Sequence, residues 1–365
     1  MGIVASFLHF WQHFVTHSGT PIVFWTRPNW SVDQIPDQSG KVVLITGGNS
    51  GVGYASALAL YNAGANVTIA CRSFARGQEA AEDIKKNGDR GIWGVRYNQR
   101  TPAEETKLGS IDVLALDLTD LASVEQAADK YKLRVKRLDQ LYLNAGIMAV
   151  QEGQWTKQNY TLQFGSMVLG HQRLTTHLLP ILLSPREEPA RVISLSSVGH
   201  NFAPPGGIDY TSVSRHPDDV ANPDGSPKKG KNELDRWPEY GQAKWGNIAI
   251  AKYLADRYDP KELIAVAVHP GSIATNLGNH IGIVGWAASK AHWALAPMTF
   301  SPYQGALNQL WSGTLPATQA LELNGKYVVP FRHVMDPRAD LLGEEGKERA
   351  RKLWAWCDEQ GKKFE

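Results

Sequence analysis

Short apolar runs recur along the chain, and most are followed by a turn and then a stretch of helical periodicity. The runs are Val42–Ile45, Asn66–Ala70, Ile111–Leu116, Gln140–Leu143, Arg191–Leu195, Ile264–Val268 and Lys326–Val329. They are nearly continuous and rich in β-branched residues, the pattern of strands buried on both faces. Helical stretches cover Tyr54–Tyr61, Phe74–Lys86, Leu121–Leu133, Tyr240–Asp256 and Gly346–Glu359, the last with Leu353, Trp354 and Trp356 turned inward. A long helix runs from about Asn159 to Leu183, with interruptions expected near Gly170 and Pro180. Strands alternating with helices predict an α/β fold, a single doubly wound parallel sheet of about seven strands. Residues 88–110 and 201–236 are polar and rich in Gly and Pro, and read as surface insertions, the second beside the active site.

Ahead of this pattern, residues 1–26 contain no Asp, Glu, Lys or Arg. At about 100° per residue, Gly2, Ser6, His9, Gln12, His13, Thr16 and His17 share one face, opposite Ile3, Val4, Phe7, Leu8, Phe10, Trp11, Phe14 and Val15. This predicts an amphipathic helix ended by Gly19 and Pro21. Residues 1–18 suit peripheral contact with a membrane surface, and Gly2 fits the loose myristoylation pattern. The alternatives are packing on the chain's own domain or on a second copy in a homodimer. His9, His13 and His17 lack an acidic or Cys companion, so they read as a wet polar face and no metal site is assigned. The domain reading is an extension over 1–37, a core domain over 38–335 and a C-terminal helical tail over 336–365.

Composition narrows the class. The chain has 365 residues, 42% of them hydrophobic, ample for a large core. A net charge of +2 with mixed signs disfavours a nucleic-acid partner. Two cysteines, Cys71 and Cys357, make no disulfide framework, which points to a reducing, cytoplasmic setting. No apolar run is long enough for a convincing membrane span.

The chemistry begins at Lys41-Val-Val-Leu-Ile-Thr-Gly-Gly-Asn-Ser-Gly-Val-Gly-Tyr54. A strand, a glycine turn and a helix start let a pyrophosphate approach the backbone and meet free amides. Gly47, Asn49, Ser50, Gly51, Val52 and Gly53 are the candidate binding residues. After the second strand, Cys71-Arg72-Ser73 stands where a carboxylate would bind the free 2′-hydroxyl of NAD. Arg72 can instead pair with a 2′-phosphate, or stack on adenine without choosing. Tyr240 and Lys244 are four residues apart on one helix face, so the ammonium can favour the phenolate. Ser196-Ser197 ends the fifth strand, where a hydroxyl can hold a substrate oxygen.

The order of glycine turn, Asn144-Ala-Gly146, strand-Ser-Ser, Tyr-x-x-x-Lys and His269-Pro-Gly271 resembles the short-chain dehydrogenase/reductase family over about residues 38–335. Arg191–His200, Cys71-Arg72, Leu169-Gly-His171, Ser301–Ala306 and Gly325-Lys-Tyr327 look closest to its retinol-dehydrogenase-like branch and fungal relatives. The resemblance implies a Rossmann-type NADP(H) domain with a substrate lid at about 275–301. It makes Tyr240 the general acid/base, Lys244 its partner and a ribose ligand, and Ser197 the residue orienting the carbonyl. It places Asn144, Ala145 and Gly146 by the adenine ribose and Asp117 and Leu118 at the adenine. Pro270, Gly271, Ile273 and Thr275 would hold the carboxamide. One departure stands out: Met167 occupies a position where the family usually has an Asn that supports a proton relay. The apolar lid, with Ile281, Ile283, Val284, Trp286 and Trp293, suggests a lipophilic alcohol or carbonyl substrate, and the fungal likeness suggests secondary metabolism. The competing reading is a catalytically weak NADPH-binding or membrane-tethered interaction protein.

Overall fold

A computed structural model of the chain describes residues 28–87, 108–216, 219, 222, 224–226, 228–273 and 300–364. The N-terminal helix expected over residues 1–18, most of the lid expected over about 275–301 and most of the insertion at 88–110 lie outside these residues. Among the described residues, one sheet of 8 strands forms the centre, in the order β3-β2-β1-β4-β5-β6-β7-β8. The strands are β1 (Val42–Thr46), β2 (Asn66–Cys71), β3 (Ser110–Ala115), β4 (Gln140–Leu143), β5 (Ala190–Leu195), β6 (Leu263–Val268), β7 (Tyr327–Val329) and β8 (His333–Met335). Pairing is parallel from β3 through β7, and β8 closes one edge antiparallel to β7. Strand β8 is additional to the seven that the apolar runs predict, because its three residues are largely exposed and carry no apolar run.

The helices are α1 (Gly51–Asn62), α2 (Phe74–Asn87), α3 (Leu121–Arg134), α4 (Gly170–Leu182), α5 (Arg236–Arg257), α6 (Pro302–Thr314) and α7 (Gly343–Lys362). They cover both sheet faces and leave two apolar layers. One gathers Leu44, Leu141, Phe164, Ala243, Ile248 and Leu353, and the other Val43, Ile45, Leu58, Val266 and Leu310. Trp30, Val32 and Ile35 are buried in the second layer, ahead of the first strand.

Three helix details differ from the sequence reading. The break expected near Gly170 is present as a π turn at Gly165–Leu169, but Pro180 sits inside α4 without interrupting it. Helix α5 starts at Arg236, so Tyr240 is one turn in; Pro238 falls in the first turn, where its missing N–H is harmless. Helix α6 is additional to the helices the periodicity predicts; Ser301 and Gln304 form its capping box and Pro302 opens it. The terminal helix α7 packs on α5, with Tyr253 and Trp354 stacked at 4.4 Å, and ties to α4 through Arg173 and Asp358 at 3.2 Å.

Candidate active site

The site residues gather at the carboxyl ends of the parallel strands. Strand order reverses between β1 and β4, the place where an open α/β sheet leaves a crevice for a ligand. Thr46 ends β1, and its Oγ1 accepts the amides of Asn144 and Ala145, both at 2.9 Å. Asn144 Nδ2 donates back to the Thr46 carbonyl at 2.9 Å. Strand ends and glycine turn are thereby one rigid unit.

Side chains are excluded from this unit by contact. Gly47 has φ +66°, and a Cβ there would lie 3.0 Å from Ala145 Cα. A Cβ at Gly53 would lie 2.4 Å from the Gly47 carbonyl oxygen and 2.5 Å from Asn144 Nδ2. Ser50 stands at the N-cap of α1 and makes no side-chain capping bond. The first-turn amides, including those of Gly51, Val52 and Gly53, therefore keep their affinity for an anion. Next to the turn, the Gly47 amide donates to the Ala70 carbonyl at 2.7 Å, which sets the exposed Arg72 just beyond β2 at the same rim. Asp117 is fixed by the Thr119 amide at 2.9 Å, and Leu118 is buried against Gly170. This cradle fits a dinucleotide.

The reactive residues stand on the other side of Asn144. Ser197 Oγ accepts the Gly199 amide at 3.1 Å, which leaves its proton for the Tyr240 hydroxyl, to which it is hydrogen-bonded. Gly199 is required for this approach, because a Cβ there would lie 2.6 Å from Tyr240 Cε1. Burial pushes the Tyr240 phenol up to about 12, and the Ser197 bond pulls it partly back. Lys244 is buried, which drives its ammonium down to about 8. Its Nζ donates to the Leu195 carbonyl at 3.0 Å and lies 5.8 Å from the Tyr240 ring centroid. The Lys244 ammonium is thus bonded to a carbonyl rather than to the Tyr240 hydroxyl, whose upward shift comes from burial.

Beyond β6, Pro270 and Ile273 are half-buried, and Gly271 adopts φ +92° with its Cα against Phe300. Thr275 lies outside the described residues. Met167 is buried, its sulfur beside Gly146.

Several groups here have no role in the sequence reading, where His171, His200, His269 and Tyr327 stand only as marks of the resemblance. His171 Nε2 lies 2.9 Å from Thr46 Oγ1, while its Nδ1 meets the Met167 carbonyl at 3.1 Å, and burial drives it down to about 3. His200 Nδ1 donates to the Ser197 carbonyl at 2.7 Å. His269 Nε2 and the Tyr327 hydroxyl are buried without a protein partner among the described residues. The loop after Gly146 is anchored where the Ala149 amide donates to Gln163 Oε1 at 2.8 Å and Gln163 Nε2 to Glu239 at 3.0 Å. Their signal in the sequence was a polar residue inside an apolar run, which fixes burial but no partner.

The glycine turn, the paired hydroxyls and the lysine lie at the carboxyl end of one parallel sheet, the arrangement of an α/β dinucleotide-binding fold. The short chain dehydrogenase family model matches residues 41–108 and 95–213. A short-chain dehydrogenase/reductase of Armillaria gallica is 35% identical over 94% of this chain and 97% of its own length. One from Emericella nidulans is 30% identical over 94% of this chain and 100% of its own. The crystal structure of an uncharacterised protein from Mycobacterium paratuberculosis is similar, at TM-score 0.61 and 27% identity, covering 91% of this chain and 97% of that one. The chain belongs to the short-chain dehydrogenase/reductase family of oxidoreductases.

Proposed function

We propose that the protein is an NADP(H)-dependent oxidoreductase that interconverts a lipophilic alcohol and its ketone or aldehyde. The hydrogen-bonded Ser197 and Tyr240 hydroxyls, with Lys244 one turn along α5, carry this reading. A bound dinucleotide supplies or accepts the hydride. Ser197 holds the substrate oxygen. Tyr240 gives that oxygen a proton in the reductive direction and takes it in the oxidative one. Burial pushes the phenol up, and the positive charge of Lys244, one turn along α5, favours the phenolate. Asn144 and the glycine cradle hold the nucleotide against the same strands, which fixes its distance from Tyr240.

The preference for NADP(H) rests on Arg72. No carboxylate stands in Cys71-Arg72-Ser73 to meet a ribose 2′-hydroxyl, and a guanidinium at that rim attracts a phosphate. The fold alone makes no choice, because structures of this fold include one described with NADP and one with NADH. The lipophilic substrate is supported by Phe202 and Trp237, whose rings meet at 6.1 Å, with Trp237 edge-on to Tyr240 at 6.3 Å. An aromatic wall beside the acid favours a broad apolar partner. The likeness to fungal enzymes supports a tailoring step in secondary metabolism.

The test is oxidation of NADPH and of NADH against a panel of hydrophobic ketones and aldehydes, beside direct binding of each dinucleotide. Turnover with NADPH is expected. Tight NADPH binding with no turnover on any member would favour a dinucleotide-binding protein without catalysis.

A further inference from the structure

The carbonyl of Met167 lies in the π turn Gly165–Leu169 and receives two side-chain donors. His171 Nδ1 is 3.1 Å away and Asn247 Nδ2 is 3.2 Å away. Asn247 is fully buried on α5, three residues past Lys244, so both side chains share one helix face. Strand β5 braces both backbones. Ser196 Oγ donates to the Lys244 carbonyl at 2.6 Å, and Ser194 Oγ to the Asn247 carbonyl at 2.8 Å. The Met167 side chain closes the other side, since a Cβ at Gly146 would lie 3.3 Å from Met167 Sδ and 3.4 Å from Lys244 Nζ.

Two needs remain inside this enclosure. Asn247 Oδ1 is buried with no protein donor among the described residues. The Lys244 ammonium has three protons to give, and the Leu195 carbonyl takes one of them. A buried acceptor without a donor is costly, and so is a buried ammonium with unused protons. A single water with two or more polar partners meets both needs.

We propose that Asn247 is a positioning residue for Lys244: its Nδ2 holds the Met167 carbonyl, and its Oδ1 receives the lysine ammonium through one bridging water. The importance of this contact for catalysis rests on the oxidoreductase reading, whereas the contact itself belongs to the folded chain. Removing Oδ1 takes an acceptor from the charged amine and lowers its pKa further below that of an ordinary lysine.

Lys244 can be followed cleanly by titration. The groups facing it are Tyr240 on its own helix, His171 from α4 and His269 just past β6, with His200 beyond. The phenol is held near 12 and the imidazoles near 3, 3 and 4, so none of them titrates between pH 7 and 10. Glu239, also on α5 and raised to about 7, faces Gln163 and Thr161.

The experiment labels the lysines of the full chain with carbon-13 at Cε and assigns Lys244 from the Lys244→Met spectrum. Its midpoint is read from pH 6.5 to 10.5 in the native chain, Asn247→Leu and Asn247→Ser. Both variants lack Oδ1, and Ser covers the case where Leu does not fold. The native midpoint is expected near 8. Each variant is expected to fall by about half a unit or more. Ser194→Ala, which leaves the Asn247 amide in place, is expected to hold the native midpoint. An unchanged midpoint in the folded Asn247 variants overturns the proposal, whether or not the protein turns over a carbonyl. A lowered midpoint in a protein without turnover keeps the contact and removes the oxidoreductase reading instead.

Discussion

Lys244 Nζ donates to the carbonyl of Leu195 at 3.0 Å, which ties helix α5 to the last residue of strand β5. Ser196 Oγ returns the tie by donating to the Lys244 carbonyl at 2.6 Å. Ser197 is the next residue, and Tyr240 lies one turn back along the helix. The separation of the two hydroxyls is therefore set by a strand and a helix clamped in both directions.

This clamp makes the loss of the phenol a clean substitution. Tyr240→Phe keeps the ring that packs on Gly199 and removes the proton donor. Turnover is expected to fall by about 10²–10⁴-fold, the usual contribution of general acid–base catalysis. Dissociation constants for the dinucleotide, measured by fluorescence, should move by less than about threefold. A loss of turnover below tenfold would remove Tyr240 from its assigned role.

The strand-helix alternation was legible because parallel strands buried on both faces leave unbroken apolar runs, and seven of these coincide with β1 to β7. Ser197, Tyr240 and Lys244 were legible through spacing and order along the chain. What spacing does not carry is the contest between burial and charge. The sequence places Lys244 one turn from Tyr240, but only the fold shows the ammonium on a carbonyl and the phenol pushed up. The β8 edge and the partners of His171, Asn247 and His269 depend on contacts between distant segments, which no local pattern encodes.

Arg72 offers a test of cofactor choice. Arg72→Asp replaces a cation with an anion at an exposed rim position. A charge-assisted hydrogen bond of about 1.5–3 kcal/mol predicts a roughly 10- to 150-fold weaker NADPH affinity, with NADH spared. A native enzyme that already prefers NADH in kcat/KM would contradict this assignment.

Trp237 is half-buried beside Tyr240 and Phe202 and tests the substrate class. Burying a large apolar side chain is worth about 1.5–3 kcal/mol. Trp237→Ala should raise KM for a bulky apolar substrate by about 10- to 100-fold. KM for a three- or four-carbon ketone should stay within about threefold. An equal rise for both substrates would mean that the ring supports the fold rather than the substrate.

We also propose that residues 1–18 bind a membrane surface, on the strength of their two-sided pattern. The full chain should float with anionic liposomes, and a chain beginning at Asp33 should not. Flotation should strengthen below about pH 6, as His9, His13 and His17 gain charge. Two soluble chains that differ instead in melting temperature or in dimerisation would place the segment against protein.

Stability against pH follows from the buried imidazoles. Burial drives His171 to about 3, His200 to about 4 and His269 to about 3. An unfolded histidine titrates near 6.5. As pH falls from about 6.5 to 4.5, the unfolded chain gains a proton at each of these positions that the folded chain refuses. The contribution of these residues is thus complete above 6.5 and is lost toward the folded values. Glu239 acts in the opposite direction. Burial raises it from 4.5 to about 7, so its contribution is present below 4.5 and lost as pH rises to 7. Glu233, also raised by burial, adds to Glu239, so three imidazoles stand against two carboxylates and leave a net loss on acidification. The urea midpoint should fall between pH 7 and pH 5 at unchanged m-value. His269→Asn should flatten this slope, since it removes one of the three imidazoles at a site whose Nε2 has no protein partner among the described residues. A midpoint that is flat or rises toward pH 5 would show that these imidazoles are protonated in the folded chain.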